Sequence, residues 1–568
     1  MDRRTFLCKG TAALLVVPAL KSHGFAARPP KPAWLLELIR LNDQQIGQLK
    51  AYRVTDPNHP AYGGLKDGDD IPTPQASADY VRRIACAVAS PESTFYRSKE
   101  LLQEAGLATR YLLKIQHSDG TVDLLSTNFH STPDTGFIVK RLAPAYRLLS
   151  RTGTPEAEKV MADLKTFLLK AGEALSVGGI HTPNHRWVVS AALARLQELW
   201  PNPRYVARID EWLAEKIDID ADGQYNERST LIYSPLTNRL LITIARALKR
   251  PELLEPVRKN LSMMLYYVHP NGEVVSEASG RQDKALVGTM EGYFYPYRYM
   301  AIHDQDGAMA AQARMIEQTL LPRTVGFLDY LLDDTSVWQE LPAAKPLPVN
   351  YVREFPHSGL TRVRRDRWDS TLLSANPVFM TFHKGEAVLQ GIRVAASFFG
   401  KGQFQADQVV RNGDAWVMTR SLEGPYYQPF GIGSIPGPGD GDWEKMPREQ
   451  RKQSEVQTMQ TTVTLRETGS GMEARIQITG TERVPVALEL IFRPGGTFAG
   501  VTKHPSRDNA WLLSGESGSF TSGKDTITFG PGLALHRGVV LRGALPPMDA
   551  PTVYLTGFTP FDHTIRLS

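Results

Sequence analysis

Cysteine is nearly absent: Cys8 and Cys86 are the only two in 568 residues. Cys8 lies in an N-terminal leader, and Cys86 alone cannot close an internal disulfide, so the fold must rest on its apolar core. The apolar run "TAALLVVPAL" reaches about half of the ~20 residues that a bilayer-spanning helix needs, so no stable membrane anchor is expected. No fixed-period repeat is visible, which argues against a solenoid of near-identical units. A strong excess of one charge is missing too. A cut after Ala27 would remove Arg3, Arg4, Lys9 and Lys21 but only Asp2, taking the formal +5 to +2. Nucleic-acid binding usually needs a concentrated basic face, so none is expected.

The leader itself is informative. "MDRRTFLCKG" sets Arg3-Arg4 before Phe6-Leu7, the apolar run follows, and "GFAA" then offers a small-residue cleavage site before "RPPKP". That order predicts a twin-arginine signal over residues 1–27 and a periplasmic or secreted protein. With 42% hydrophobic and 22% charged residues the chain has ordinary globular composition, and its length calls for more than one domain.

From residue 33 to about 325, apolar residues recur at three- and four-residue steps, as in "WLLELIRLNDQQIGQLKAY" and "RWVVSAALARLQELW". Short loops rich in Gly, Pro, Asn and Asp separate the segments, and several open with Pro in the first turn. This predicts helical hairpins closing into an α/α toroid over 28–340. A proline-rich linker, "LPAAKPLPVNYVREFP", covers 341–356. Beyond it short alternating runs such as "VFMTFHKG" and "VALELIFRP" predict an antiparallel β-sandwich over 357–568. The fold class is therefore multidomain α+β.

Three loops in the helical half are dense in polar groups. "STNFHSTPDTGF" holds Asn128, His130 and Asp134, and "GGIHTPNHRWVV" holds His181, Asn184, His185, Arg186 and Trp187. "DIDADGQYNERSTLIYSP" runs from Asp218 through Glu227 and Arg228 to Tyr233. Each precedes an apolar helix, so a toroid of hairpins would gather them at one mouth. The Asp218-Asp220-Asp222 run resembles half a calcium loop. An EF-hand starting there would place Ser229 where the bidentate glutamate belongs, so a polar turn is preferred. His181 and His185 are spaced for zinc, but Pro183 interrupts the helix they would share, and no H-E-x-x-H pattern is present.

Asn, His, Arg and Tyr together suit elimination from a uronic acid. The C5 proton becomes acidic only when the adjoining carboxylate is neutralised by donors such as Asn or protonated His. A base for C5 and an acid for the leaving O4 complete the site. Tyrosine serves either role once cations lower its ordinary pKa of ~10, and Arg186 and Arg228 are the candidates for that. Glu227 would bind a sugar hydroxyl or pair with an arginine. Tyr293, in "EGYFYPYRYM", would stack on a sugar or sit in a helix core.

A helical toroid followed by a β-sandwich, with "NHRW" and then "DGQYNERSTLIY", resembles the heparinase II/III-like polysaccharide lyases and related alginate lyases. The resemblance implies that Asn184 and His185 neutralise the uronate carboxylate. It implies Tyr233, 48 residues after His185, as the acid/base, with His383 joining from the β-domain. Arg186, Trp187, Glu227, Arg228, Asn128, His130 and Tyr293 are then the expected substrate-binding residues. No cofactor is required, and a structural calcium or zinc is not favoured. The expected partner is a uronic-acid oligo- or polysaccharide: alginate, a glycosaminoglycan, or a glucuronate glycan such as one capped by rhamnose. Plainer readings stand beside these: His185 as a helix cap, Tyr233 as a core residue, His383 as an exposed strand end. Two rival functions also remain: a glycoside hydrolase pairing Glu227 with Asp222 or Asp134, and a non-catalytic glycan binder.

Overall fold

The computed structural model describes residues 30–436 and 441–568, so the expected signal over 1–27 lies outside the described residues. The helical half runs from Ala33 to Asp333. Its starts follow local chemistry. Thr73, Thr154 and Asn202 each cap a helix through the side chain and are followed by Pro in the first turn, where a missing N–H costs nothing.

Alternate helices form two rings. Pro74–Val88, Thr132–Leu149, His185–Leu199, Tyr233–Leu248 and Phe294–Asp304 neighbour one another inside, while Lys99–Ile115, Pro155–Val177 and Pro203–Ala214 lie outside. The inner members are buried almost all round: 186 to 196 and 234 to 245 are buried without a break. Because each outer helix returns the chain, every inner helix begins at the same rim. The loops that precede inner helices are thereby collected at one end of the toroid.

The C-terminal half is two stacked sheets. One has nine strands and runs from Thr502–Lys503 at one edge to Asn350–Phe355 at the other; the second has eight. Pairing is antiparallel except where Ala510–Leu512 runs parallel to Thr552–Phe558. Asn350–Phe355 pairs with Leu360–Arg365 in this sheet, so the end of the segment expected as a linker is the sandwich's edge strand.

The two halves share a core. Phe355, Leu360 and Leu373 of the sandwich belong to the apolar cluster of the toroid, with the Tyr267 and Phe355 rings 5.1 Å apart. Polar ties reinforce the junction: Arg362 and Arg364 donate to the Tyr266 and Val268 carbonyls, and Arg493 forms a two-pronged pair with Glu273 at 2.8 Å. Cys86 is buried and free.

Candidate active site

The "DIDADGQ" stretch is a turn whose carboxylates are spent in three directions. Asp218 pairs with Arg186 at 2.9 Å, Asp220 accepts from the Gly223 and Gln224 amides, and Asp222 accepts from the Ser358 amide of the sandwich at 2.8 Å. Gly223 has φ +104°, and a Cβ there would meet the Lys259 carbonyl at 2.7 Å, so the turn requires glycine.

The turn delivers Glu227 to Asn184. The Asn184 amide donates to both Glu227 carboxylate oxygens, at 2.8 and 3.0 Å, and its backbone N–H adds a third bond at 3.3 Å. Asn184 sits at the N-cap of His185–Leu199 but does not cap it, because its side chain is committed to Glu227. It is 3% exposed, and its Oδ1 has no partner. Its second amide hydrogen is held only loosely, by Thr182 Oγ1 at 3.4 Å.

His185 opens the same helix, edge-on to the rings of Phe137 at 6.1 Å and His181 at 4.8 Å. Burial lowers its pKa to about 4, helped by His181 and Arg281 and opposed by Asp134. At neutral pH it is therefore an uncharged imidazole, which corrects the expectation of a protonated carboxylate partner. Its Nδ1 is buried without a hydrogen bond.

Tyr233 begins the next inner helix, with its backbone N–H on Ser229 Oγ at 3.0 Å. Its hydroxyl accepts from Gln282 Nε2 at 2.7 Å, and the Arg281 guanidinium lies over its ring at 5.4 Å. The cation beside the tyrosine is thus Arg281. Arg186 is tied to Asp218 and Glu215, and Arg228 reaches across to the His357 carbonyl.

Arg281 and Gln282 belong to a strap over residues 276–287 that sequence reasoning missed. Its tip is pinned to the toroid, where Gly280 N–H donates to the Arg228 carbonyl at 2.8 Å and Asp283 accepts from the Leu231 amide at 3.0 Å. Its root is in the sandwich, where Glu277 accepts from Thr371 and Thr381 hydroxyls at 3.1 and 3.0 Å. A signal was available: "SGRQDKAL" is one more polar loop ahead of an inner helix.

The first loop lines the rim beside His181. Residues 127–133 and 179–181 enclose a hollow of about 430 Å³. His130 stacks on His117 at 3.8 Å and pairs with Asp119, while Asn128 donates to Asp134 at 3.0 Å. Trp187 and Tyr293 are each 1% exposed, and the Tyr293 hydroxyl donates to the Thr230 carbonyl. Neither is placed to touch a sugar, which corrects their assignment as substrate-binding residues. The carboxylates named for a hydrolase are also occupied: Glu227 by Asn184, Asp222 by Ser358, and Asp134 by Ser131 and Asn128.

His383 is buried at the domain junction, its ring stacked 3.7 Å from that of His269. His269 bridges Asp369 at 3.0 Å and Glu277 at 3.5 Å. Burial opposes its charge, but the two carboxylates prevail and raise its pKa to about 9; burial and His269 push His383 down to about 3. His269, Asp369 and His383 have the donor types of a zinc site, with ligand atoms within 4.8 Å of one another. Arg362 already pairs with Asp369, so a metal there would have to share that carboxylate with the guanidinium.

No known protein family matches this chain, and no curated protein does. Among solved structures, the Streptomyces coelicolor A3 chondroitin AC lyase bound to chondroitin sulphate is similar, with a TM-score of 0.54 at 12% identity, over 95% of this chain and 80% of that one. A mutant of the heparan sulfate lyase HepC from Pedobacter heparinus gives 0.49 at 10% identity, over 95% and 84%. Heparinase III gives 0.44 at 12%, over 94% and 91%. The first likeness establishes the architecture: a helical toroid followed by an antiparallel sandwich, as in polysaccharide lyases.

Proposed function

We propose that the protein is an exported polysaccharide lyase that cleaves a uronic-acid glycan by β-elimination. The observation that carries this reading is the Tyr233 hydroxyl at the rim, fixed by Gln282 and flanked by the Arg281 cation. On this reading Tyr233 takes the C5 proton and returns one to the leaving O4. The Gln282 N–H and the Arg281 cation stabilise the phenolate that takes the C5 proton, and the phenol so formed donates that proton to O4. Asn184, anchored by Glu227 and offering the amide hydrogen that only Thr182 holds, and His185, as a neutral N–H donor, receive the carboxylate. His383 acts from the sandwich side by supporting the strap's root through His269 and Glu277. The resemblance of the fold to an enzyme described as a chondroitin AC lyase supports the substrate class by analogy alone.

The test is absorbance. Incubation with a panel of uronic-acid glycans should yield an ultraviolet-absorbing unsaturated end on at least one. New reducing ends without absorbance would make the protein a hydrolase, and binding with neither product would make it a lectin-like protein.

A further inference from the structure

Midway down the toroid, three cations stand without an ion pair of their own among the described residues. Among the described residues the Lys140 ammonium has no hydrogen bond or carboxylate partner; it lies over the Phe137 ring at 5.3 Å. Arg141 reaches only the Gln75 carbonyl, at 3.4 Å. Arg239 is 7% exposed, donates to the Gly292 carbonyl and lies on the Phe327 ring at 4.3 Å, with Tyr330 beside it; its Nε is unpartnered. The nearby carboxylates are spent: Asp79 on Arg82 and Arg83, Asp329 on Arg82 at 2.7 Å.

Elsewhere the toroid matches its buried arginines. Arg195 meets Asp333, Arg246 meets Asp334 at 3.1 Å, and Arg298 meets Glu317 at 3.0 Å. Enclosing unmatched cations is costly unless an anion joins them. Burial, then mutual repulsion, pushes the Lys140 ammonium well below the usual lysine range. Lys140 and Arg141 nevertheless keep part of their surface accessible.

The cluster adjoins the rim through Phe137. Phe137 carries Lys140 and meets His185 edge-on. Arg239 shares a helix with Tyr233, between one and two turns further in. Side chains lean toward helix N-termini, and the N-termini of the inner helices are at the rim, so these cations lean toward the reacting centre.

We propose that Lys140, Arg141 and Arg239 form an oxyanion subsite that receives a second acidic group of the glycan, on the sugar adjoining the scissile uronate. The ligand's identity rests on the lyase reading, but binding of an oxyanion does not. The group is a sulfate ester or a further carboxylate.

Thermal midpoints of the full chain, titrated at constant ionic strength with sodium sulfate and separately with glucuronate, test it. The wild type should respond saturably to at least one, and the stronger response identifies the group. Lys140→Met and Arg141→Gln should each weaken that apparent affinity at least tenfold, while Lys140→Arg, which keeps the charge, should retain most of it. Tyr233→Phe should titrate like wild type, so loss of the lyase reading through the absorbance assay leaves this result standing. An absent response in the wild type, or equal responses in the wild type and both charge-removing variants, would overturn the subsite.

Discussion

Gln282 holds the Tyr233 hydroxyl at 2.7 Å although 49 residues separate them in the chain. The bond makes the phenol oxygen an acceptor from the strap, which favours the phenolate that would take the C5 proton on the lyase reading. Tyr233→Phe deletes the hydroxyl and keeps the ring, so the melting midpoint should hold. Turnover on a cleaved glycan should fall by about 10²–10⁴-fold, the usual contribution of an acid/base group. Near-normal turnover in a well-folded variant would remove Tyr233 from the mechanism and direct attention to Glu227.

Gln282→Ala tests the strap's share. It removes one hydrogen bond at a surface position, so kcat should drop well short of the Tyr233→Phe loss, with the folded state intact. A variant as inactive as Tyr233→Phe would mean that Gln282 itself contacts the reacting atoms.

Glu227→Ala would leave the buried Asn184 amide without its carboxylate. An unmet buried donor costs about 1–3 kcal/mol, readable in denaturant melts. Glu227→Gln, which can still accept through its carbonyl, should recover part of that. If both variants were as stable as wild type, the Asn184 anchor would not be structural.

Acid should act through His185. Its folded pKa, near 4, lies below the ordinary value of 6.5, so the unfolded chain binds the proton more readily between those values. Its contribution to stability is present above about pH 6.5 and is lost as pH falls toward 4. His185→Gln should therefore show a shallower decline in midpoint across that window. Parallel declines would show that other groups govern the acid limb.

Exhaustive chelation should leave midpoint and activity nearly unchanged, since Asp369 is held by Arg362 and His269, and Asp218, Asp220 and Asp222 by protein donors. Loss of either, restored by zinc or calcium, would make one of these clusters a metal site.

The toroid and the sandwich were legible because helical and alternating periods are properties of local sequence. So was the rim, since loops before inner helices share a polar composition. Side-chain facing was less legible. The inner helices are buried all round, so Trp187 and Tyr293 carry no amphipathic signature that separates core from cleft. Arg186, expected beside Tyr233, is held instead by Asp218, 32 residues on and across a turn. The edge strand Asn350–Phe355 hid among prolines. Lys140 and Arg239 offered no local sign at all, because the want of an ion pair is decided by residues from four helices and a loop.

The strap has one further consequence. Its tip touches the toroid, but its footing is Glu277 among threonines of the sandwich. The sandwich is then a buttress for the candidate site, and the helical half severed near residue 340 would keep Tyr233, Gln282 and the strap's pins to the toroid while losing the footing of Glu277. Transplanting the sandwich of a distant relative would misalign the phenol even if both halves folded. The junction, as much as the cleft, is where new activities in this architecture would have to be tuned.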